Sequence, residues 1–167
     1  MIRAIFLDVD GTLISFSTHE IPASARRALT QAHERGVRLF IATGRAANDL
    51  GPLEGIPYDG VVSLNGARCV ANDGRVVSLH PIPRADFERA LALSEEQDFA
   101  MGLELEEGVF VNRVTPDVKR VAHMVAHPVP EQTDLRELFG RVECCQLCFY
   151  FDAETQRRVM AELPTLV

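Results

Sequence analysis

Asp8 and Asp10 stand two residues apart in Asp8-Val9-Asp10-Gly11-Thr12, directly after the apolar run Ala4 to Leu7. Carboxylates at this spacing can divide the work of a phosphoryl transfer. Asp8 can attack phosphorus, while Asp10, one step beyond, manages the proton of the leaving group. Their charges would repel a phosphate dianion. A bound Mg²⁺ relieves that repulsion by bridging carboxylate and phosphate oxygens, and a pair of hard oxygen donors suits an ion that keeps several waters. Asp8 and Asp10 are therefore also the candidate metal ligands. Gly11 lets backbone N–H groups approach a phosphate closely, and Thr43, in the second polar cluster Thr43-Gly44-Arg45, offers a hydroxyl donor. Gly11, Thr43 and Gly44 are the candidate phosphate-binding residues. Against this stands the plainer reading that the two aspartates cap a loop. A calcium-binding EF-hand loop is excluded, because its glycine belongs at the sixth position and a glutamate at the twelfth; here the glycine is fourth and the twelfth residue is His19.

The elements that must position these residues are legible in the apolar pattern. Ala4 to Leu7 is a short continuous apolar run, as expected of a parallel strand buried on both faces. Pro22 to Arg35 places Ala25, Ala28, Leu29 and Ala32 at helical spacing, with Gly36 just past the end. Val37 to Ala42 reads as a second buried strand. Strand, helix and strand make a βαβ unit, so the two strands end on one edge and Asp8 and Thr43 can face one site. Ligand sites of open α/β sheets lie at such carboxyl ends. A third strand, Val61 to Leu64, stops at Asn65-Gly66, and Asn72-Asp73-Gly74 predicts a hairpin between Arg68 to Val70 and Arg75 to Leu79.

His80-Pro81-Ile82-Pro83 reads as a linker, dividing the chain into domains at 1–81 and 82–167. Beyond it the pattern predicts helix (Ala85 to Gln97), strand (Met101 to Leu105), strand (Val109 to Val114) and helix (Asp117 to Ala126). A Pro-bounded loop, a strand from Val142 to Phe151 and a helix from Ala153 to Leu163 follow, an α+β arrangement.

Asp8-Val9-Asp10-Gly11-Thr12 after an N-terminal apolar strand resembles the first motif of the haloacid dehalogenase (HAD) superfamily. Ile41-Ala42-Thr43-Gly44-Arg45 resembles its second motif. Ser63-Leu64-Asn65-Gly66-Ala67 is similar to the segment before the cap in the superfamily's Cof-type sugar phosphatases, and the stretch from Leu147 to Pro164 resembles the late part of their large α/β cap. The resemblance implies an α/β fold: a Rossmann-like parallel-sheet core, of which this is the N-terminal part, with an inserted α+β cap. It implies that Asp8 forms an aspartyl-phosphate, that Asp10 acts as acid and then base, and that Thr43 holds the phosphate. Mg²⁺ would take a side-chain oxygen of Asp8 and the backbone carbonyl of Asp10. Arg45 and Asn65 stand where the family places residues near its core–cap cleft, which makes them candidate substrate contacts, with a surface ion pair and a turn residue as the alternatives. The expected substrate is a small phosphorylated metabolite, a sugar phosphate or similar.

One departure stands out: the later lysine and acidic GDxxND-like loop of the family have no counterpart before Val167. The expectation is an N-terminal portion of a longer enzyme, impaired in this form. A sugar phosphomutase and a non-catalytic binding remnant of the fold are the rival readings. Lys119, the chain's sole lysine, falls on the second half's helix and reads as a solvated residue.

Composition bounds the rest. With 47% hydrophobic and 25% charged residues in 167, the chain has the balance of a globular protein. A formal charge of −7 works against nucleic-acid and anionic-membrane binding, both of which need a basic surface. The N-terminus lacks the apolar stretch of a signal peptide, no segment approaches a membrane span, and the expected location is cytoplasmic. Cys69, Cys144, Cys145 and Cys148 read as thiols that stay free, those of the Cys144-Cys145-Gln146-Leu147-Cys148 stretch as buried structural ones. In a strand Cys144 and Cys148 would lie about 13 Å apart with Cys145 on the other face, too dispersed for zinc. His123 and His127, four apart, lack the glutamate of an HExxH pattern and read as a surface or interface pair. Glu104 to Glu107 reads as a solvated hairpin.

Overall fold

The computed structural model describes residues 2–15, 17–18, 20–125 and 127–162. His19, Ala126 and Leu163, used in the sequence reading, lie outside them. The chain divides into two compact units, Met1–His80 and Pro81–Val167.

In the first unit β1 (Ala4–Leu7) is followed by α1 (Ala23–Glu34) and β2 (Arg38–Ala42), and β3 (Gly60–Ser63) leads into the hairpin β4 (Arg68–Ala71) and β5 (Val76–Leu79). The sheet order is β1-β2-β3-β4-β5. β1, β2 and β3 are parallel, with Leu7 opposite Ile41 and Ala42 opposite Val62, while β4 and β5 turn antiparallel. The crossover helix and the Asn-Asp-Gly hairpin thus fall where the pattern placed them.

One face of this sheet carries the core. Leu39 and Ile41 are fully buried and pack with Val9, Leu29, Leu53 and Val61, with Ile5 and Leu7 against them. The other face differs from the expectation of a strand buried on both sides. Phe6 is 63% exposed, stacked on Phe40 with ring centroids 4.9 Å apart, and the Arg38 guanidinium lies 6.0 Å from the Phe40 ring. An alternating strand can bury one side and leave the other wet. The even-numbered residues of β1 and β2 do that here.

The second unit holds α2 (Arg84–Glu96), the hairpin β6 (Ala100–Leu105) and β7 (Gly108–Val111), α3 (Pro116–Met124), β8 (Glu131–Gln132), α4 (Leu135–Phe139), β9 (Gln146–Tyr150) and α5 (Ala153–Glu162). Its sheet runs β8-β7-β6-β9. Phe87 of α2, fully buried, stacks on Phe139 of α4 at 4.1 Å and packs with Met101 and Leu103, whereas Val118 of α3 packs with Ala100, Val111 and Tyr150. Arg136 ties α4 to α2 through Glu88 at 3.0 Å and Glu95 at 3.1 Å.

Three sequence expectations change here. The Pro-bounded loop contains β8 and α4, the latter begun by Asp134, whose side chain accepts from the N–H groups of Arg136 and Glu137. The strand expected from Val142 starts only at Gln146, because Cys144 tucks into the core beside Phe87 and its Sγ donates to the Gln146 carbonyl at 3.2 Å. Glu104 is not a solvated hairpin residue: half-buried, it accepts hydrogen bonds from Gln146 Nε2 and, at 3.5 Å, from Cys148 Sγ.

Candidate active site

The register of β1 against β2 sends Asp8-Val9-Asp10 and Thr43-Gly44-Arg45 off the same edge of the sheet. The first loop is pinned through Val9. Its side chain is buried, and its carbonyl accepts from the N–H groups of Leu13 at 3.0 Å, Ile14 at 2.8 Å and Thr12 at 3.4 Å. With Val9 turned inward, its exposed neighbours Asp8 and Asp10 face solvent. Gly11 closes the turn at φ 79°, a conformation that costs glycine little, and donates its N–H to the Ile14 carbonyl at 2.8 Å. Thr12 Oγ1 donates to Asp8 Oδ2 at 2.8 Å, leaving Oδ1 without a hydrogen bond among the described residues.

Arg45 reaches across to the first loop. Its Nε donates to Asp10 Oδ2 at 2.9 Å and its Nη2 to Asp10 Oδ1 at 2.8 Å, a two-pronged fork on one carboxylate. Nη1 donates to the carbonyl and to Oδ2 of Asp49, each at 3.2 Å. The hydrogen bond to Asp10 raises the guanidinium pKa above its ordinary value; partial burial opposes this, and the charges of Asp10 and Asp49 reinforce it. Arg45 is therefore placed in an ion pair bridging the two loops. Asp49 and Thr12 were not singled out by the sequence reading. The i,i+4 spacing from Arg45 was the available signal for Asp49, and for Thr12 its place in the loop four residues beyond Asp8.

Thr43 is buried, with its N–H donating to the Val62 carbonyl at 2.9 Å and its Oγ1 accepting from the Arg45 N–H at 3.2 Å. The turn after β3 grips this second loop: Leu64 N–H donates to the Arg45 carbonyl at 3.1 Å and Asn65 N–H to the Thr43 carbonyl at 3.2 Å. Both turn residues are left-handed, Leu64 at φ 49° and Asn65 at φ 54°.

The donor set fits Mg²⁺ in one form. Asp8 presents a carboxylate with one oxygen outside the Thr12 hydrogen bond, whereas both carboxylate oxygens of Asp10 are bound by Arg45, which agrees with the expectation that Asp10 would serve a metal through its backbone carbonyl and not its side chain. One carboxylate, one carbonyl and waters are acceptable to this ion, which rarely uses an all-protein cage. Among the described residues no group of three or more His, Cys, Asp and Glu could hold a metal. His123, His127 and Lys119 are exposed in the second unit. The cysteines are free; Cys144 is buried and the other three are half-buried. No helix among the described residues is long and apolar enough to cross a membrane.

Paired acidic residues on a parallel strand's tip, joined to a Thr-Gly-Arg loop on its neighbour, define a class. The chain belongs to the haloacid dehalogenase-like hydrolase family, whose model matches residues 5–167. Its mixed α/β structure with a parallel-strand sheet matches the family's Rossmann-like core. It is similar to BT1666 of Bacteroides thetaiotaomicron, a phosphatase of the HAD superfamily, at 53% identity and a TM-score of 0.90 over 98% of this chain. It is similar to BT4131, a HAD subclass IIB sugar phosphatase, at 28% identity and a TM-score of 0.80, again over 98% of this chain. A Bacillus subtilis (strain 168) protein named as a candidate phosphatase, YkrA, is 30% identical over 95 residues, 56% of this chain. The chain spans 61% of BT1666, 64% of BT4131 and 36% of YkrA.

Proposed function

We propose that this chain carries the nucleophile half of a Mg²⁺-dependent phosphomonoester hydrolase acting on a sugar phosphate or similar small metabolite. The observation that carries the reading is the Arg45 fork on Asp10, because it joins the two loops at the tips of adjacent parallel strands. Likeness to BT4131, a sugar phosphatase, supports the substrate class.

In this reading Asp8 attacks phosphorus through a carboxylate oxygen, forming an acyl-phosphate as the ester P–O bond breaks. Asp10 gives a proton to the departing alkoxide. It then takes one from the water that attacks the same phosphorus, so phosphate leaves and Asp8 is regenerated. To serve as acid, Asp10 must carry a proton, and one of its oxygens must leave the guanidinium. The incoming dianion helps, since it offers Arg45 a competing partner. The Thr43 hydroxyl orients the phosphate oxygens, and Gly11 and Gly44, lacking side chains, let the phosphate approach both loops closely; the Gly11 N–H would have to release the Ile14 carbonyl to join them. Mg²⁺ between Asp8 and the Asp10 carbonyl would supply charge neutralisation as nucleophile and phosphate approach.

The lysine and later acidic loop implied by the family resemblance have no counterpart in these 167 residues. Losing one preorganised charge costs about a hundredfold to a thousandfold in rate, so turnover by this form is expected to be slow. The test is phosphate release from a panel of sugar phosphates with Mg²⁺, by the wild type and by Asp8→Asn. Release is expected from the wild type alone; undiminished release by Asp8→Asn removes the nucleophile assignment.

A further inference from the structure

We propose that Asn65 is a positioning residue that sets the Thr43-Gly44-Arg45 loop through Gly44, an inference that rests on reading this loop as part of the phosphate site. The backbone around Gly44 is held on both flanks by one turn: Thr43 and Arg45, its two neighbours, each give a carbonyl to an N–H of the Leu64-Asn65 pair, at 3.2 and 3.1 Å. That turn is an unusual one. Two successive non-glycine residues at positive φ cost free energy, and although asparagine tolerates the conformation, leucine does so poorly. Leu64 is nonetheless buried, 5% exposed, so its side chain anchors in the core a turn its backbone does not favour. Strain of this kind persists where surrounding contacts over-determine it.

The Asn65 side chain completes the grip. A Cβ built on Gly44 would stand 3.1 Å from Asn65 Oδ1 and 3.3 Å from Nδ2, closer than side chains ordinarily pack. Gly44 is not among the glycines at positive φ, so its own backbone would accept an alanine. The demand for glycine at position 44 therefore comes from the Asn65 amide. The amide's place against the loop gives it a task without any contact to substrate. It fixes how far the Gly44 peptide can move, and with it the direction of the Thr43 hydroxyl and of the Arg45 backbone.

A four-member cycle on the 167-residue chain tests this: wild type, Gly44→Ala, Asn65→Gly and both together. The readouts are kcat and KM for Mg²⁺-dependent release from p-nitrophenyl phosphate, inhibition by inorganic phosphate, and the urea unfolding midpoint. Gly44→Ala is expected to lower kcat/KM about tenfold and Asn65→Gly about threefold, since displacements well under 1 Å near reacting groups cost rate. The double variant should return to about the level of Asn65→Gly alone, because glycine at 65 makes room for the new methyl; the rescue is about tenfold against the product of the single effects. Phosphate inhibition should weaken and recover in step.

Effects that multiply to about thirtyfold in the double variant, with additive shifts in the urea midpoint, overturn the brace. A large rise in KM for Asn65→Gly with no rescue assigns Asn65 to substrate contact instead, which also overturns it. If no variant, wild type included, turns over substrate, the phosphate-site reading fails separately. The urea cycle alone then decides whether Asn65 braces Gly44, rescue supporting it and additivity sinking it.

Discussion

Replacing Arg45 by methionine keeps the aliphatic stem while removing every hydrogen bond of the fork. Two charge-assisted bonds to Asp10, at 2.8 and 2.9 Å, and two more to Asp49, at 3.2 Å, disappear together. A bond to a charged group contributes about 1.5–3 kcal/mol where water is excluded, but exposed ion pairs contribute about 0.2–1 kcal/mol. The Arg45 side chain is 24% exposed and that of Asp10 43%, so this fork sits between the limits. The expected loss is about 1.5 kcal/mol, with about 1 kcal/mol of it as coupling between Arg45 and Asp10. In a unit of this size that loss lowers the melting temperature by roughly 6–12 °C. A double-mutant cycle with Asp10→Asn, read by urea unfolding at low and at high salt, isolates the coupling. High salt should shrink it, since half-exposed charges are screened. Single effects that add to within about 0.3 kcal/mol would refute the reasoning, because the fork would then be a contact without energetic consequence.

Chelation with EDTA should abolish phosphate release by the wild-type chain and Mg²⁺ should restore it; activity that persists after exhaustive chelation contradicts the assigned donor set. Burial pushes the Cys144 thiol up to about 11 and the Cys148 thiol up to about 12, with the Glu104 charge adding to the rise in Cys148. At pH 8 only about one Cys144 in a thousand is thiolate, so mass spectrometry should find Cys144 and Cys148 hardly alkylated by iodoacetamide until the chain unfolds. The sign for stability follows: a raised thiol pKa contributes stability that is complete below the ordinary thiol range and is lost as pH climbs from about 9 through 11 and 12, so the urea midpoint should fall over that window. Phe87→Ala removes a fully buried ring stacked on Phe139 at 4.1 Å and should cost about 3–5 kcal/mol in urea unfolding; a cost under about 1 kcal/mol contradicts the packing.

What was legible in the sequence was local. β1, α1 and β2 announce themselves by a short apolar run, a helical spacing of small residues closed by Gly36, and a second run, and the Asn72-Asp73-Gly74 turn states its own geometry. The placement of Asp8 and Thr43 on one edge followed from the βαβ rule alone. What was not legible depends on partners distant in sequence. The Arg45 fork joins residues 35 apart, and the bond from Gln146 to Glu104 joins residues 42 apart. β8, two residues long, exists only because β7 is there to pair with it, and α4 is five residues whose amphipathic signal is too short to count. α4 did carry one readable sign, Asp134 three residues before Glu137, the pattern of a helix start.

The acidic tip that bears Asp8 belongs to a four-residue strand hydrogen-bonded, among the described residues, to a single neighbour. Its steadiness is borrowed from downstream, where one carbonyl, that of Val9, gathers three amide donors and Thr12 ties back to the carboxylate. Leu13 and Ile14, which supply two of those donors and bury their side chains, thus act as ballast for the Asp8 side chain. Damage to either would loosen the attacking oxygen from beneath.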